Sequence, residues 1–421
     1  MINDFQIISK EKELDKRLFL LLILSLLLLI IPFFRSVAFV ILGFIVIYFL
    51  WRFDFIKTKK DFFRFMIYKI RLERELIDSR FYVKLRSQKD GRIFVKLPKI
   101  EILQKSDFII IVKIGCSIEN FERLEKLDLS PIFNGYRQMI VSNDIERDKI
   151  VFELEKIDFD RQLKIESIEE IEQINEKSDQ IVIDRLTSIN AFAHLLLTGQ
   201  TGSGKTYGLL YLLLFYRMRN ADVSVCDPKV SDLADLSKTM GCPSATSKNE
   251  IIEEVRQTFL EMERRKQQRQ KEDWKISTTA TQNGLNLKIL IIDEFASLQL
   301  KLDKKELAEL LGYLYQIILE GRALGVFVVL GLQQANATVL PTALREQFSS
   351  IFVLGNSGEQ TKNVAFQEKA QKIPNFPLSV GEGWCLNASE ISLRFICFPY
   401  LSFLNDLRSV SYTHLRAHET V

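Results

Sequence analysis

The 421-residue chain holds little that would tie it to metal or redox chemistry. Of its five cysteines, Cys116, Cys226, Cys242, Cys385 and Cys397, no two stand in C-x-x-C spacing, so neither a zinc site nor a dithiol pair is indicated. They read as reduced thiols of a cytosolic domain. Histidine is scarcer still, at three, and two of these fall in the last eight residues. Net charge is nearly absent: 57 basic residues face 54 acidic ones, a formal +3. Such a balance neither demands nor excludes a nucleic-acid partner, because a chain can concentrate its cations in one channel. No internal repeat and no low-complexity tract occurs, which removes solenoids and compositionally biased linkers from consideration.

What the chain has in excess is apolar surface. Hydrophobic residues make up 47% of it, with 31 Phe, and the excess is concentrated at the N-terminus. Residues 18–34 are apolar apart from Ser25 and Pro32, and a second apolar run, 37–51, follows after only Arg35 and Ser36. Each is slightly short of an ideal span of about 20 residues, but shorter helices cross when basic flanks snorkel. Lys10, Lys12, Lys16 and Arg17 precede the first run; Arg52, Lys57, Lys59, Lys60, Arg64, Lys69 and Arg71 follow the second. Basic residues on both outer sides place both termini in the cytoplasm. Residues 1–56 are therefore expected to form a two-span membrane hairpin, with the rest of the chain cytoplasmic. No small-residue cleavage site separates the runs, which disfavours a signal peptide.

Residues 57–80 mix Phe62, Phe63, Phe65, Ile67 and Leu72 with cations, as a basic helix near the membrane surface does. Four stretches then alternate like strands, 81–85, 92–97, 108–114 and 150–154, with a turn signal at Gln88-Lys89-Asp90-Gly91. Residues 118–127 carry Ile118, Phe121, Leu124 and Leu127 at three-residue steps, a helical spacing. Residues 81–179 are expected to be a small α+β domain that carries no chemical motif.

The chemistry starts at residue 191. An apolar strand, 191–198, runs into Gly199-Gln200-Thr201-Gly202-Ser203-Gly204-Lys205-Thr206, and an apolar helix, 207–218, follows at once. This is a complete P-loop. Its glycines let the backbone wrap phosphates with N–H groups, and the helix N-terminus adds a favourable dipole. Lys205 can then reach the β- and γ-phosphates, and the Thr206 hydroxyl can ligate Mg²⁺. Some 90 residues on, strand 288–292 ends in Asp293-Glu294. In P-loop enzymes a carboxylate at that strand end holds the metal and a following Glu polarises the attacking water. Asp293 is assigned the metal and Glu294 the role of catalytic base. Strand 326–330 leads to Gln333 and Gln334; the first would lie beside the γ-phosphate if this strand neighbours the P-loop strand, and is otherwise a plain strand-end amide. Between these pieces, strand 223–226 ends at Asp227-Pro228-Lys229, and Ser247-Lys248-Asn249-Glu250 is a capping box opening a long helix. The charged end of that helix, 263–273, reads as a solvated face or as a DNA contact.

With these residues in hand the sequence resembles the FtsK/SpoIIIE family of DNA translocases, and more narrowly the coupling-protein ATPases of Gram-positive conjugative elements. The P-loop, Asp227-Pro228-Lys229 with the following Asp232-Leu233-Ala234-Asp235-Leu236, and Glu261-Met262-Glu263-Arg264-Arg265 carry the resemblance. Asp293-Glu294, Gly321-Arg322-Ala323-Leu324-Gly325 and Leu344-Arg345-Glu346-Gln347-Phe348 complete it, all in order over residues 188–386. The resemblance implies an α/β, RecA-like P-loop NTPase core over residues 180–409. It also implies ATP and Mg²⁺ as cofactors, a homo-hexameric ring around DNA, and relaxase and channel proteins as partners. Gln333 matches the family's polar sensor position. Two departures stand out: Gln334-Ala335 replaces the usual Arg-Pro, and Ile351 stands where many members have an arginine. An arginine acting across a subunit interface would then be Arg322 or Arg345, unless these serve structural ion pairs. A related alternative class is an FtsK-like ATPase that drives protein secretion, but such proteins usually carry several ATPase modules and here there is one P-loop.

Residues 410–421 resemble the translation of a sequencing-library adapter. They are expected to be non-native, with the natural chain diverging near Ser409 and the i, i+4 pair His414 and His418 carrying no metal meaning.

Overall fold

The structure is a computed structural model. It describes residues 8–53, 61–86, 93–116, 120–143, 148–177, 179–272, 274–275, 278–334, 340–388 and 393–404. The turn signal at 88–91 and the tail at 410–421 lie outside the described residues. The chain divides into two compact units, 1–159 and 160–421.

The first unit opens with α1 (Lys10–Leu28) and α2 (Arg35–Arg52). Among the described residues α2 alone is long and apolar enough to cross a membrane. The first of the two expected spans, α1, does not meet that measure for a physical reason: its first two turns hold Lys10, Glu11, Lys12, Glu13, Asp15, Lys16 and Arg17, leaving Leu18–Leu28 as its apolar part. Both helices nonetheless present large apolar side chains outward, among them Phe19, Leu24, Phe39, Phe44 and Trp51. At the end of α2, Arg52 pairs with the buried Glu73 at 2.7 Å, and Lys69 Nζ donates to the Arg52 carbonyl at 2.7 Å. Both partners come from α3 (Phe62–Asp78), and a cation near the last carbonyls also suits the helix dipole.

Phe65, Tyr68, Leu72 and Leu76 recur at helical spacing and turn one face of α3 toward an antiparallel sheet. That sheet is ordered β1 (Ile100–Gln104), β2 (Ile109–Gly115), β4 (Lys149–Lys156), β3 (Tyr136–Asn143). Ile102, Ile110, Val112, Ile150, Phe152 and Leu154 meet the helix in one core. A second small sheet joins Val83–Arg86, Ile93–Lys96 and Ile8–Ser9.

The second unit is built on eight strands ordered β7 (Ser244–Ala245), β6 (Asp222–Cys226), β8 (Lys288–Ile292), β9 (Val326–Leu332), β5 (Leu195–Gly199), β10 (Ser350–Leu354), β11 (Glu382–Asn387), β12 (Arg394–Cys397). The first six are parallel and the last two antiparallel. β5, β8, β9 and β10 are buried along their whole length, which is why they read as unbroken apolar runs in the sequence. The crossovers supply α4 (Lys205–Met218), α5 (Asp232–Thr239), α6 (Lys248–Lys271) and α7 (Lys304–Glu320). The capping box opening α6 forms as the sequence indicates, with Ser247 and Glu250 each bonding the other's backbone.

Residues 160–179, expected with the α+β domain, belong instead to this second unit. Arg161 Nη1 donates to the Phe395 carbonyl at 2.6 Å and reaches Asp184 Oδ2 at 3.3 Å, and Asp184 Oδ2 accepts the Cys397 N–H at 3.0 Å. Ile165 and Ile171 enter the core behind α4. Phe395 lies 234 residues beyond Arg161 in sequence, so no local pattern could have fixed the boundary.

Candidate functional site: a phosphate cradle facing an acidic strand end

A parallel sheet gathers the C-terminal ends of its strands on one edge, and loops there form the natural ligand site. β5 delivers the P-loop to that edge, β8 delivers Asp293 and Glu294, and β9 runs between them, paired with β5 through Leu196↔Leu330 and with β8 through Ile292↔Leu330. The strand leading to Gln333 therefore does neighbour the P-loop strand, with Gln333 just beyond its end.

The loop itself is shaped by glycine. Gly202 and Gly204 have φ +83° and +93°, in the left-handed region, and Ser203 N–H closes the turn onto the Gln200 carbonyl at 3.0 Å. At Gly204 a side chain is also excluded by contact, since a Cβ would stand 2.7 Å from the Gly381 nitrogen. The Gly381 N–H donates to the Ser203 carbonyl at 2.9 Å, tying the turn before β11 to the cradle. Ser203 Oγ is buried and without a hydrogen-bond partner. A phosphate fits this arrangement: backbone N–H groups, a hydroxyl in need of a partner, and the N-terminus of a 14-residue helix.

Lys205 opens α4 and is 7% exposed. Its ammonium forms an ion pair with Asp293 Oδ1 and lies 3.8 Å from Glu294 Oε2. Asp293 is 5% and Glu294 4% exposed, and the Glu294 N–H donates to Asp293 Oδ1 at 2.8 Å. Glu294 adopts φ +53°, a conformation costly for a residue with a Cβ, as it caps a short helix, Phe295–Gln299. Among the described residues no group of three or more His, Cys, Asp or Glu could hold a metal alone. A divalent cation here can take Asp293 and the Thr206 hydroxyl only alongside phosphate oxygens and water, the usual habit of Mg²⁺.

The turn after β6 reaches the same edge. Asp227 is fully buried; its Oδ1 accepts the Lys229 N–H at 3.0 Å, and its Oδ2 accepts the Ser231 N–H at 2.7 Å and Oγ–H at 2.6 Å. Lys229 Nζ lies 3.2 Å from Glu294 Oε2. Sequence reasoning placed Lys229 in a motif but not in the site. An Asp-Pro-Lys turn at the end of the strand adjoining β8 was the available signal.

Arg322 and Arg345 lie elsewhere. Arg322 precedes β9 and Arg345 precedes β10, so both occupy the sheet edge opposite the P-loop. Arg322 is exposed, whereas Arg345 is 6% exposed, with Nη1 lacking a partner and Nη2 reaching Thr342 Oγ1 at 3.4 Å. Burial holds the Arg345 guanidinium below its ordinary pKa, against the raising influence of Glu346. His194 sits on the same edge. Its Nδ1 accepts the Val328 N–H at 3.0 Å, and burial, helped by the positive Arg322, pushes its pKa down to about 3, so it is neutral. The Glu261–Arg265 motif serves structure: Arg265 is buried, bonds Glu261 at 2.7 Å, and donates to the carbonyls of Leu324 and Gly325 at 3.0 and 3.4 Å. Hydrogen bonds from Arg264 and then Arg265 hold the Glu261 carboxyl down at about 2.

Comparison with known proteins agrees with this geometry. The family model described as "AAA domain" matches residues 192–338. The chain is 36% identical over 163 residues to the FtsK domain-containing protein YdcQ of Bacillus subtilis (strain 168), covering 38% of this chain and 34% of that protein. It is 28% identical over 194 residues to the DNA translocase FtsK of Haemophilus influenzae, covering 37% and 36%. The matches thus span about a third of each relative's own length. In fold the chain is similar to the pCW3 conjugation coupling protein TcpA, with TM-score 0.52 and 15% identity over 82% of this chain and 99% of that one. With the phosphate cradle, the acidic end of β8 and the intervening β9 in place, the second unit is a P-loop ATPase domain, similar over part of its length to FtsK-domain proteins.

Proposed function

We propose that this chain is a membrane-anchored, ATP-driven DNA translocase, and that it serves as the coupling protein of a conjugative transfer system. The observation that carries the catalytic half is the convergence of Lys205, Asp293 and Glu294 on one buried edge. In this reading Lys205 leaves its Asp293 partner for the β- and γ-phosphates of ATP, and Thr206 and Asp293 hold Mg²⁺. Glu294 takes a proton from water, whose oxygen attacks the γ-phosphorus as the bond to the β-phosphate oxygen breaks and ADP departs with the electron pair. Gln333 reports on the γ-phosphate. Arg322 and Arg345, remote from their own cradle, are candidates to reach a neighbour's nucleotide in a homo-hexameric ring.

The DNA half rests on the likeness to FtsK-type proteins, and the conjugative role on the small anchor and on the likeness in fold to a conjugation coupling protein. For the anchor, α2 together with the apolar part of α1 and the apolar residues 29–34 forms a two-span hairpin in the cell membrane, with the ATPase domain in the cytoplasm. The outward-facing Phe19, Phe33, Phe44 and Trp51 support that reading.

The test is ATP turnover by the purified full chain with and without DNA, beside a Lys205→Ala copy. Turnover that rises with DNA and vanishes in the copy supports the proposal. Turnover indifferent to DNA returns the protein-secretion reading, and absence of turnover in the wild type refutes the catalytic assignment.

A further inference from the structure

We propose that Lys229 is a positioning residue for Glu294 through which hydrolysis answers to DNA: its ammonium restrains the carboxylate, and a DNA backbone draws it away. This rests on the reading of the site as a DNA-dependent ATPase.

The geometry is asymmetric in a useful way. Glu294 is buried, whereas the Lys229 side chain is 46% exposed, so its stem reaches inward from the surface to bring Nζ within 3.2 Å of Oε2. The other cation near that carboxylate, Lys205, is farther away at 3.8 Å and engaged with Asp293. The backbone beneath Lys229 is fixed: Asp227 accepts its N–H and those of Ser231, and Lys301 Nζ donates to the Pro228 carbonyl at 2.6 Å. The adjacent Val230, β-branched and 59% exposed, is held at φ +55°, strain that this bracing sustains. With the main chain held, the long side chain alone is free to swing between Glu294 and solvent.

The chemistry gives that swing a consequence. A general base must offer a carboxylate lone pair to water, and an oxygen engaged by an ammonium has its charge offset. A polyphosphate backbone carries about one charge per 1.7 Å of duplex and competes well for an exposed ammonium. Drawing Lys229 onto a phosphate returns Glu294 Oε2 to the water. An ion pair whose cation is half-exposed is screened by water and adds little to stability, so a merely structural Lys229 would be dispensable or its loss would slow the enzyme. A restraint makes the opposite prediction.

The experiment compares wild type, Lys229→Met and Lys229→Arg as full-length protein in detergent micelles. It reads ATP turnover with and without duplex DNA, affinity for a fluorescent ATP analogue, and thermal unfolding. We expect Lys229→Met to turn over ATP roughly threefold to tenfold faster without DNA, to gain little more when DNA is added, and to bind the analogue as wild type does. Lys229→Arg keeps the cation and should keep both the low DNA-free rate and the DNA response. If Lys229→Met does not fold, Lys229→Gln serves in its place. DNA-free turnover that is unchanged or lower at unchanged analogue affinity overturns the restraint, and a faster rate with undiminished DNA stimulation overturns its link to DNA. Should wild type itself ignore DNA, the translocase reading fails with that link, while the DNA-free comparison still decides the restraint.

Discussion

Gly202 and Gly204 differ by two positions and share a left-handed backbone, yet alanine should act on them very differently. At Gly202, φ +83°, an added Cβ meets nothing within 4 Å, so Gly202→Ala costs only the left-handed conformation, about 1–2 kcal/mol. At Gly204, φ +93°, the Cβ would stand 2.7 Å from the Gly381 nitrogen and 2.9 Å from its Cα. Those are backbone atoms, and the Gly381 N–H is bonded to the Ser203 carbonyl, so relief requires the cradle and the turn entering β11 to part. Overpacking of this kind adds roughly 1–3 kcal/mol to the conformational cost. For a unit of this size, about 2–4 °C of melting temperature goes with each kcal/mol. Gly202→Ala should therefore lower the melting temperature by about 2–8 °C and Gly204→Ala by clearly more. Differential scanning fluorimetry of the two variants without nucleotide makes the comparison, and equal shifts would refute the Gly204–Gly381 packing argument.

Three other outcomes follow from particular residues. Glu294→Gln should lower ATP turnover by roughly 10²- to 10⁴-fold while ATP binding, measured by titration of a fluorescent analogue, stays near wild type; full turnover would remove Glu294 from the base role. Arg265→Ala leaves the Leu324 carbonyl without a donor, while Gly325 keeps the Lys288 N–H and Glu261 keeps Arg264, and should cost about 1–3 kcal/mol in a denaturant melt, where a loss within 0.5 kcal/mol would show the clamp on the Gly325 turn to be dispensable. His194 has its folded pKa lowered from 6.5 to about 3, so the unfolded chain binds the extra proton first. Stability from this group is complete above pH 6.5 and is lost as pH falls toward 3. His194→Gln should flatten the stability profile of the protein between pH 6.5 and 4, and an unchanged slope would count against a neutral, buried imidazole.

The catalytic edge was largely legible from local pattern, because a P-loop needs its strand, glycines and helix in immediate succession. The sequence likewise marked Asp293-Glu294 through the apolar run Lys288–Ile292 and the capping box through Ser247 and Glu250. What escaped was set by distant contacts. Residues 160–179 join the second unit through Arg161 on Phe395 and through Ile165 and Ile171 in the core behind α4. Strand β3 interrupts its own alternation with a bulge between Gln138 and Ile140, which hides its period. Lys229 stands in the Asp-Pro-Lys turn that the sequence marks, but its place beside Glu294 follows from β6 pairing with β8, a pairing no spacing reveals. Arg322 and Arg345, offered for action across a subunit interface, precede β9 and β10, and only the strand order shows that this puts them on the edge away from their own P-loop.

Movement along DNA is the central claim, and displacement of streptavidin from the biotinylated ends of single- and double-stranded DNA measures it directly. With the full chain in lipid nanodiscs, the account predicts ATP-dependent displacement from at least one of the two substrates and none by Lys205→Ala. Wild-type protein that turns over ATP yet displaces streptavidin from neither substrate would contradict it.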